Sequence, residues 1–362
     1  MDIDRLLRAV AQHGASDLHL QVASPPTLRV HGGLTPAQAP EVTDDDLDQM
    51  IQQIAPDTVR EAFARDRSAD FSYLLEDVAR FRVNVFYEKD HASAVFRLIP
   101  LTVPPLADLN LPPVIQEIGL AERGLVLMTG TTGSGKSTTL AAIIDALNES
   151  RRLRIITIED PIEFVHTSKK SLVAQREIGR DSPGFLQALR RALRQDPDVI
   201  LIGELRDLET IKTALVAADT GHMVYSTVHT ANASQTVQRL ISMFPPNERD
   251  LLITQLATNL EAVISQRLAR VREGKGRVPV CEIMRNSPVV RKLLLDGRTG
   301  SLPQAIANRE QGMQLFDQHL ADLYNAKTIS GTEALRLATN PEAVGLALRG
   351  ISSADTGAGL VR

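Results

Sequence analysis

The stretch of sequence that decides the fold is Gly130-Thr131-Thr132-Gly133-Ser134-Gly135-Lys136-Ser137. It matches the pattern G-x-x-x-x-G-K-[ST], it follows an apolar run at 124–129, and it precedes a helical pattern. Glycines allow consecutive backbone N–H groups to turn towards phosphate oxygens, and the start of the helix adds its positive dipole end. The stretch therefore predicts a loop that binds a nucleoside triphosphate, with ATP as the expected nucleotide.

Individual residues of this loop have distinct expected roles. Lys136 supplies a point charge for the β- and γ-phosphates, and the hydroxyl of Ser137 is available to Mg²⁺. We expect the other loop residues and the following Thr138 to contact the nucleotide. ATP and Mg²⁺ are thus the expected cofactors.

Short apolar runs alternate with helical patterns around the loop. The expected strands cover 124–129, 154–158, 199–202 and 223–227, and the expected helices cover 136–148, 183–194 and 208–218. Such alternation predicts an α/β fold with a parallel sheet covered on both faces. Beyond residue 246 the pattern is mainly helical, apart from a predicted hairpin that joins 268–271 to 277–284 through a turn at 273–276.

The first 99 residues read as a separate α+β domain. Strands are expected at 17–22, 27–30, 69–75, 80–87 and 92–98, and Thr43 is expected to cap a helix that runs to about Ile54. Proline is dense at 100–113, which predicts a semi-rigid linker. The expected organisation is therefore a domain at 1–99, a linker at 100–113, an ATPase domain with a helical C-terminal part at 114–349, and a flexible tail at 350–362.

Two further apolar strands end in acids. The first runs through 198–204, where Gly203 and Glu204 replace the usual aspartate, so Glu204 is the candidate for holding Mg²⁺ through water. The second runs through 156–164 and supplies carboxylates that could orient or deprotonate the attacking water. Glu159, Asp160 and Glu163 all fit that role, and their spacing does not choose among them.

Histidines and arginines complete the candidate chemistry. His222 and His229 flank the strand at 223–227 and would lie about 20 Å apart if extended, which makes them poor partners in one metal site. A γ-phosphate sensor or a contact between subunits fits them better. An arginine finger could come from either domain. The arginines considered for it are Arg80, Arg82, Arg97, Arg176, Arg190, Arg191, Arg194 and Arg206.

Composition excludes several classes of protein. The net charge of −4, with both signs interspersed, argues against a dedicated nucleic-acid binder. The single cysteine, Cys281, rules out an internal disulfide framework and a cysteine-clustered zinc site. No apolar run approaches the ~18 residues that span a bilayer, so we expect a cytoplasmic protein that reaches membranes only through a partner.

Together these motifs resemble those of the PilT-type retraction ATPases of type IV pili, within the secretion ATPase superfamily. The resemblance covers nearly the whole chain. It begins at 14–20 and 26–30 and continues through 80–84 and 96–100. It then includes the phosphate loop, the "Asp box" at 158–163, the Walker B strand at 198–204 and the "His box" at 220–229. It implies a PAS-like module in the first domain and a RecA-like core in the second.

The resemblance also implies roles that spacing alone does not give. Glu163 matches the family's general base, Glu204 its Walker B acid, and Arg82 and Arg97 the arginines of the N-terminal domain that reach the phosphates. His222 and His229 match the His-box pair. The family implies a homohexameric ring with nucleotide between the two domains at subunit junctions. Its partner is an inner-membrane platform protein, through which pilin is withdrawn from the fibre.

Some features separate retraction from related functions. We expect the chain to lack the extra N-terminal domain of extension and type II secretion ATPases, and its single cysteine cannot form their four-cysteine insert; both points favour retraction. The family's C-terminal element Ala-Ile-Arg-Asn-Leu-Ile-Arg-Glu is altered here to Val289-Val290-Arg291-Lys292-Leu293-Leu294-Leu295-Asp296. A PilU-like accessory ATPase and a short assembly or secretion ATPase are therefore alternatives. An ATP-binding adaptor with negligible turnover and a DNA-translocating ATPase are further ones, disfavoured by the intact loop and acids and by the charge pattern respectively.

Overall fold

The computed structural model describes residues 1–30, 33–99, 102–274 and 276–349. The chain divides into two compact units. The first is Met1–Thr102 with Glu163–Val165, and the second is Val103–Ile162 with the chain from His166 onward. The tail predicted at 350–362 lies outside the described residues, as do Pro100 and Leu101 of the predicted linker. Within the rest of that linker, Leu106–Leu109 form a 3₁₀ helix.

The first unit is a six-stranded antiparallel sheet with three helices among its described residues. The sheet order is β3-β2-β1-β6-β5-β4. In chain order its elements are α1 (Ile3–Gln12), β1 (Asp17–Gln21), β2 (Thr27–Val30), β3 (Gly33–Pro36), α2 (Asp44–Ile54), α3 (Asp57–Asp66), β4 (Ser68–Leu75), β5 (Ala79–Glu88) and β6 (His91–Ile99).

Strand β5 shows why this sheet has one buried and one open face. Phe81, Val83 and Val85 are fully buried in the core of the unit, whereas Arg82 between them is exposed. Successive side chains of a strand point to opposite faces, so the alternating sequence places its arginines on the face away from the core. The open face therefore carries Arg82 and, opposite it on β6, Arg97, which are the predicted site residues of this unit.

The second unit contains a seven-stranded sheet in the order β13-β12-β7-β11-β10-β8-β9. Neighbouring strands from β12 to β9 are parallel, and β13 joins β12 antiparallel. The strands are β7 (Gly124–Thr129), β8 (Arg154–Glu159), β9 (Leu172–Glu177), β10 (Val199–Ile202), β11 (Met223–Val228), β12 (Leu260–Arg270) and β13 (Arg277–Arg285).

Helices cover this sheet from both sides. They are α4 (Val114–Gly119), α5 (Lys136–Ser150), α6 (Phe185–Ala192), α7 (Leu208–Asp219), α8 (Ala233–Met243), α9 (Arg249–Asn259), α10 (Pro288–Leu295), α11 (Leu302–Ala307), α12 (Phe316–Asn325), α13 (Gly331–Leu337) and α14 (Pro341–Ala347). Leu125 and Leu127 of β7 pack in one cluster with α6 to α11, while Val126 and Met128 pack in another with α4 and α5. This confirms the α/β class predicted from the alternation of strands and helices.

Two strands of this sheet differ from the sequence prediction. The hairpin exists, but its first strand β12 begins at Leu260 and not at 268, so the expected start was wrong. The strand follows α9 directly, with no glycine or proline to mark the change from helix to strand. Strand β9 was not predicted at all.

No helix within the described ranges is both long and apolar enough to cross a membrane.

Candidate nucleotide site

The candidate site lies at the carboxyl edge of the second sheet. Because β7, β11 and β10 are adjacent and parallel, the segments that follow them lie side by side at one edge. The phosphate loop follows β7, His229 follows β11, and Glu204 follows β10. Open α/β sheets bind ligands at this edge of their strands.

The phosphate loop takes a backbone path that only glycine allows. Gly130, Gly133 and Gly135 have φ of 141°, 78° and 91°, in the region that residues with a Cβ avoid. A Cβ on Gly130 would lie 2.4 Å from the backbone oxygen of Gln266, and one on Gly135 would lie 2.6 Å from Nε2 of the same residue. The glycine spacing of the motif is therefore required by close contact with β12 as well as by the turn itself.

Gln266 of β12 holds the loop and the following helix together. Its Nε2 donates to the backbone oxygen of Ser134 at 2.9 Å, and its Oε1 accepts from Oγ1 of Thr139 at 2.9 Å. Gln266 is 3% exposed and Thr139 is 1% exposed, so both bonds lie in the protein interior. Gln266 could not be predicted from the sequence, because a glutamine on an apolar strand carries no chemical signal until the strand order is known.

Two polar groups of the loop suit an anionic ligand. Nζ of Lys136 donates to the backbone oxygens of Gly130 at 2.8 Å and Thr131 at 3.0 Å, and the residue is only 7% exposed. Oγ of Ser134 is buried and has no hydrogen-bond partner within the described part of the chain. A buried ammonium and a buried hydroxyl in a glycine loop at a helix start fit phosphate oxygens.

Glu204 and His229 come together beside the loop. Gly203 fixes the start of this segment, because its N–H donates to Ile158 at 2.7 Å and its oxygen accepts from Thr227 at 2.6 Å. Oε2 of Glu204 accepts from Nε of Arg206 at 2.7 Å and lies 3.6 Å from Nε2 of His229. At the end of the strand, the carboxylate of Glu204 therefore faces both the guanidinium of Arg206 and the imidazole of His229.

A cavity of about 790 Å³ opens between the loop and α8. This volume is in the range of small-molecule and cofactor sites. Its lining residues are Gly130, Thr131, Thr132, His229, Thr230, Ala231, Gln235, Gln238, Arg239 and Ser242. The α8 residues were missed from the sequence. Their signal is polar residues at helical spacing, 235, 238, 239 and 242, directly after the His229 segment.

His222 lies at the opposite edge of the same sheet. It precedes β11, its backbone oxygen accepts from Gly124 at 3.1 Å, and its Nδ1 lies 2.9 Å from the oxygen of Ala217. It lines a separate cavity of about 450 Å³ with Arg151 and Asp198. His222 therefore cannot sense a phosphate bound to the loop of its own chain, and only His229 of the pair is near that loop. A contact of His222 with another subunit stays a prediction.

Arg82 and Arg97 lie directly opposite each other on β5 and β6 of the first unit. Nε of Arg97 donates to Oδ1 of Asp17 at 2.8 Å, and Nε of Arg82 lies 3.9 Å from Oδ1 of Asp70. Burial acts to raise the pKa of Asp17, but hydrogen bonds from Arg97 and Ser16 outweigh it and hold that pKa below its ordinary value. The arginines belong to a different unit from the phosphate loop, so their action on phosphate stays a prediction.

The carboxylate of Glu159, the last residue of β8, contacts two polar side chains. Oε1 of Glu159 accepts from Oγ1 of Thr157 at 2.6 Å and from Nε2 of Gln175 at 3.2 Å. Glu163 falls in the segment that groups with the first unit. Its role as general base therefore also stays a prediction.

Comparison with known proteins agrees with this geometry. The family described as type II/IV secretion system protein matches residues 2–329. The type IV pilus retractation ATPase PilT of Pseudomonas aeruginosa is 46% identical over 343 residues, which cover 94% of this chain and 99% of that protein. The type IV pilus ATPase PilU of the same organism is 36% identical over 356 residues, covering 98% and 93%. A crystal structure of the pilus retraction motor PilT with bound ADP superposes with a TM-score of 0.88 at 38% identity, covering 94% of this chain and 98% of the other.

Proposed function

The chain belongs to the type II/IV secretion system protein family, and we propose on that basis that it is an ATP-hydrolysing motor for type IV pilus retraction. The observation that carries this proposal is the phosphate loop, with Lys136 held on two loop carbonyls, beside Glu204 and His229 at the same sheet edge. Similarity to a retractation ATPase along nearly the full length of both chains supports the direction of transport.

In this proposal each part of the site has a defined task. The N–H groups of residues 130–138 and the hydroxyl of Ser134 bind phosphate oxygens, and Lys136 places its charge at the β- and γ-phosphates. Ser137 and Glu204 offer the oxygen donors that Mg²⁺ prefers, and the bound ion would neutralise charge on those phosphates. His229 contacts the γ-phosphate side, and Glu163 orients and deprotonates the attacking water.

The mechanical cycle rests on the resemblance to the retraction ATPases. Six copies form a ring, and Arg82 and Arg97 bring positive charge to the nucleotide at a junction between subunits. Hydrolysis changes the orientation of the two units, and this movement acts on a platform protein at the cytoplasmic face of the inner membrane. The pilin fibre is moved indirectly, and neither nucleic acid nor direct membrane insertion takes part.

A PilU-like accessory ATPase is the second candidate. Helix α10 (Pro288–Leu295) carries the altered form of the family's C-terminal element, in which Arg291 and Leu293 are retained. PilU is similar over 98% of the chain, though at lower identity than PilT. An accessory ATPase would hydrolyse ATP but would not restore retraction alone in cells that lack the principal motor.

Steady-state phosphate release from the purified chain tests the enzymatic proposal. We expect Lys136→Ala and Glu163→Gln to abolish turnover, because one removes charge from the phosphates and the other removes the base. Lys170→Ala changes an exposed lysine outside the site and serves as the matched control. Equal residual rates in the wild type and both site variants would instead support a nucleotide-dependent adaptor. Stimulation by added DNA would support a DNA translocase.

A further inference from the structure

A single side chain ties together both ends of the loop that carries Glu163. Oε1 of Gln175 accepts the backbone N–H of His166 at 2.7 Å, just after the loop, and its Nε2 donates to Oε1 of Glu159 at 3.2 Å, just before it. The loop between these points has six residues, 160–165. The amide group of Gln175 therefore fixes where this loop leaves β8 and where it returns.

The parallel register of β8 and β9 creates this arrangement. Thr157 pairs with Gln175 and Glu159 pairs with Glu177. Residues two apart on a strand point to the same face, so these four polar side chains share one face of the two strands β8 and β9, where β9 is the outermost strand of the sheet. Thr157 donates to Glu159 at 2.6 Å, which orients the carboxylate that Gln175 contacts.

Two further side chains hold this loop and the segment that follows it. Oε2 of Glu177 accepts the N–H of Ile162 at 3.2 Å. Asn148, fully buried on α5, donates to the oxygen of Thr167 at 2.8 Å and accepts the N–H of Lys169 at 2.9 Å. The bond of Glu177 connects the loop to β9, and the bonds of Asn148 connect the following segment to the helix that begins in the phosphate loop.

We propose that Gln175 is a positioning residue for ATP hydrolysis, which sets the place of Glu163 by joining Glu159 to the backbone of His166. The inference rests on the proposed function, because it assumes that Glu163 is the base. It assigns Glu159 an orienting task, since one oxygen of that carboxylate already accepts two hydrogen bonds. A general base must lie within hydrogen-bond reach of the water it activates, and a displacement of about 1 Å can reduce turnover about 100-fold.

Gln175→Met tests the positioning role, because it keeps the length of the side chain and removes both hydrogen bonds. We expect kcat for ATP to fall at least about 10-fold, while the Kd for a fluorescent ATP analogue stays within about twofold of wild type. The matched control is Gln187→Met, which alters an exposed glutamine on α6 and should leave both values unchanged. An unchanged kcat in Gln175→Met would overturn the proposal, as would a loss of kcat fully matched by a loss of nucleotide binding.

Gln175→Glu provides a second test that does not depend on Gln175→Met folding well. It keeps an acceptor for the N–H of His166 but places a carboxylate against Glu159, with Glu177 adding further negative charge on the same face. Two carboxylates that share a site raise the pKa of one of them, and its protonation at lower pH supplies the missing donor. The kcat of Gln175→Glu relative to wild type should therefore rise at least about fivefold from pH 8 to pH 6. A ratio that is constant over this range would contradict the proposal.

Failure of ATP hydrolysis can be distinguished from failure of the positioning role of Gln175. If the wild type releases no phosphate, the proposed function fails. If the wild type is active and Glu163→Gln abolishes turnover, but Gln175→Met keeps the wild-type kcat, only the positioning role fails.

Discussion

Replacing Gly130 with alanine should destabilise the nucleotide-free protein far more than the same change at Gly133. A Cβ on Gly130 would lie 2.4 Å from the backbone oxygen of Gln266 and 2.7 Å from Oγ of Ser134. The serine hydroxyl can rotate away, but the strand carbonyl cannot. At Gly133 nothing lies within 4 Å of the added Cβ, so that variant has backbone strain alone.

The magnitudes follow from these two geometries. Backbone strain at a glycine-only conformation costs about 1–3 kcal/mol, and forcing an extra methyl group into packed structure costs about 1–3 kcal/mol more. We therefore expect Gly130→Ala to be less stable than Gly133→Ala by about 2 kcal/mol. For a unit of this size that difference corresponds to a Tm lower by about 4–8 °C.

Calorimetric unfolding of the nucleotide-free variants provides the measurement. Nucleotide must be absent, because a bound phosphate could contact the new side chain of Gly133→Ala and change its Tm independently of the strain in the loop. Equal Tm values for the two variants, or a lower one for Gly133→Ala, would refute the claim that contact with β12 fixes the loop.

Three further predictions concern the same unit. Thr139→Val removes the buried donor to Gln266 and should lower the free energy of unfolding by about 2 kcal/mol in urea denaturation. An unchanged free energy of unfolding would show that the hydrogen bond between Thr139 and Gln266 does not stabilise the loop and helix. Lys136→Ala should weaken binding of an ATP analogue at least about 10-fold in a fluorescence titration, whereas Lys170→Ala should bind normally. Burial lowers the pKa of His319 from an ordinary value near 6.5 to about 4 in the folded protein. Between pH 6.5 and pH 4 the unfolded chain therefore binds more protons than the folded protein, so the free energy of unfolding falls as the pH falls. Between pH 7 and pH 5 the free energy of unfolding of the wild type should fall by about 2 kcal/mol more than that of His319→Asn. Asparagine keeps an acceptor for the N–H of Cys281 but does not titrate. Equal decreases in the two proteins would contradict this prediction.

The strand, loop and helix around Gly130 could be predicted because their signal is local. Apolar strand, glycine spacing and helix start are consecutive in the sequence, and each has a physical reason to be there. Strand β9 was missed because it lies at a sheet edge and mixes polar with apolar residues, so neither an apolar run nor a strict alternation marks it. The start of β12 was missed because neither glycine nor proline separates it from α9.

The site residues divide in the same way. Lys136 and Glu204 could be found from motifs, whereas Gln175 and Gln266 acquire meaning only from which strands are neighbours. The two histidines show the limit of reading a motif as one site. They are seven residues apart in the chain, and the six residues of β11 place one at each edge of the sheet.

Imaging of labelled pili in cells that lack this chain tests the central claim most directly. Cells without it should carry long pili that do not shorten, and the wild-type chain should restore retraction whereas Lys136→Ala should not. Deletion cells without pili would indicate an extension motor, and retraction restored by Lys136→Ala would contradict an ATP-driven motor.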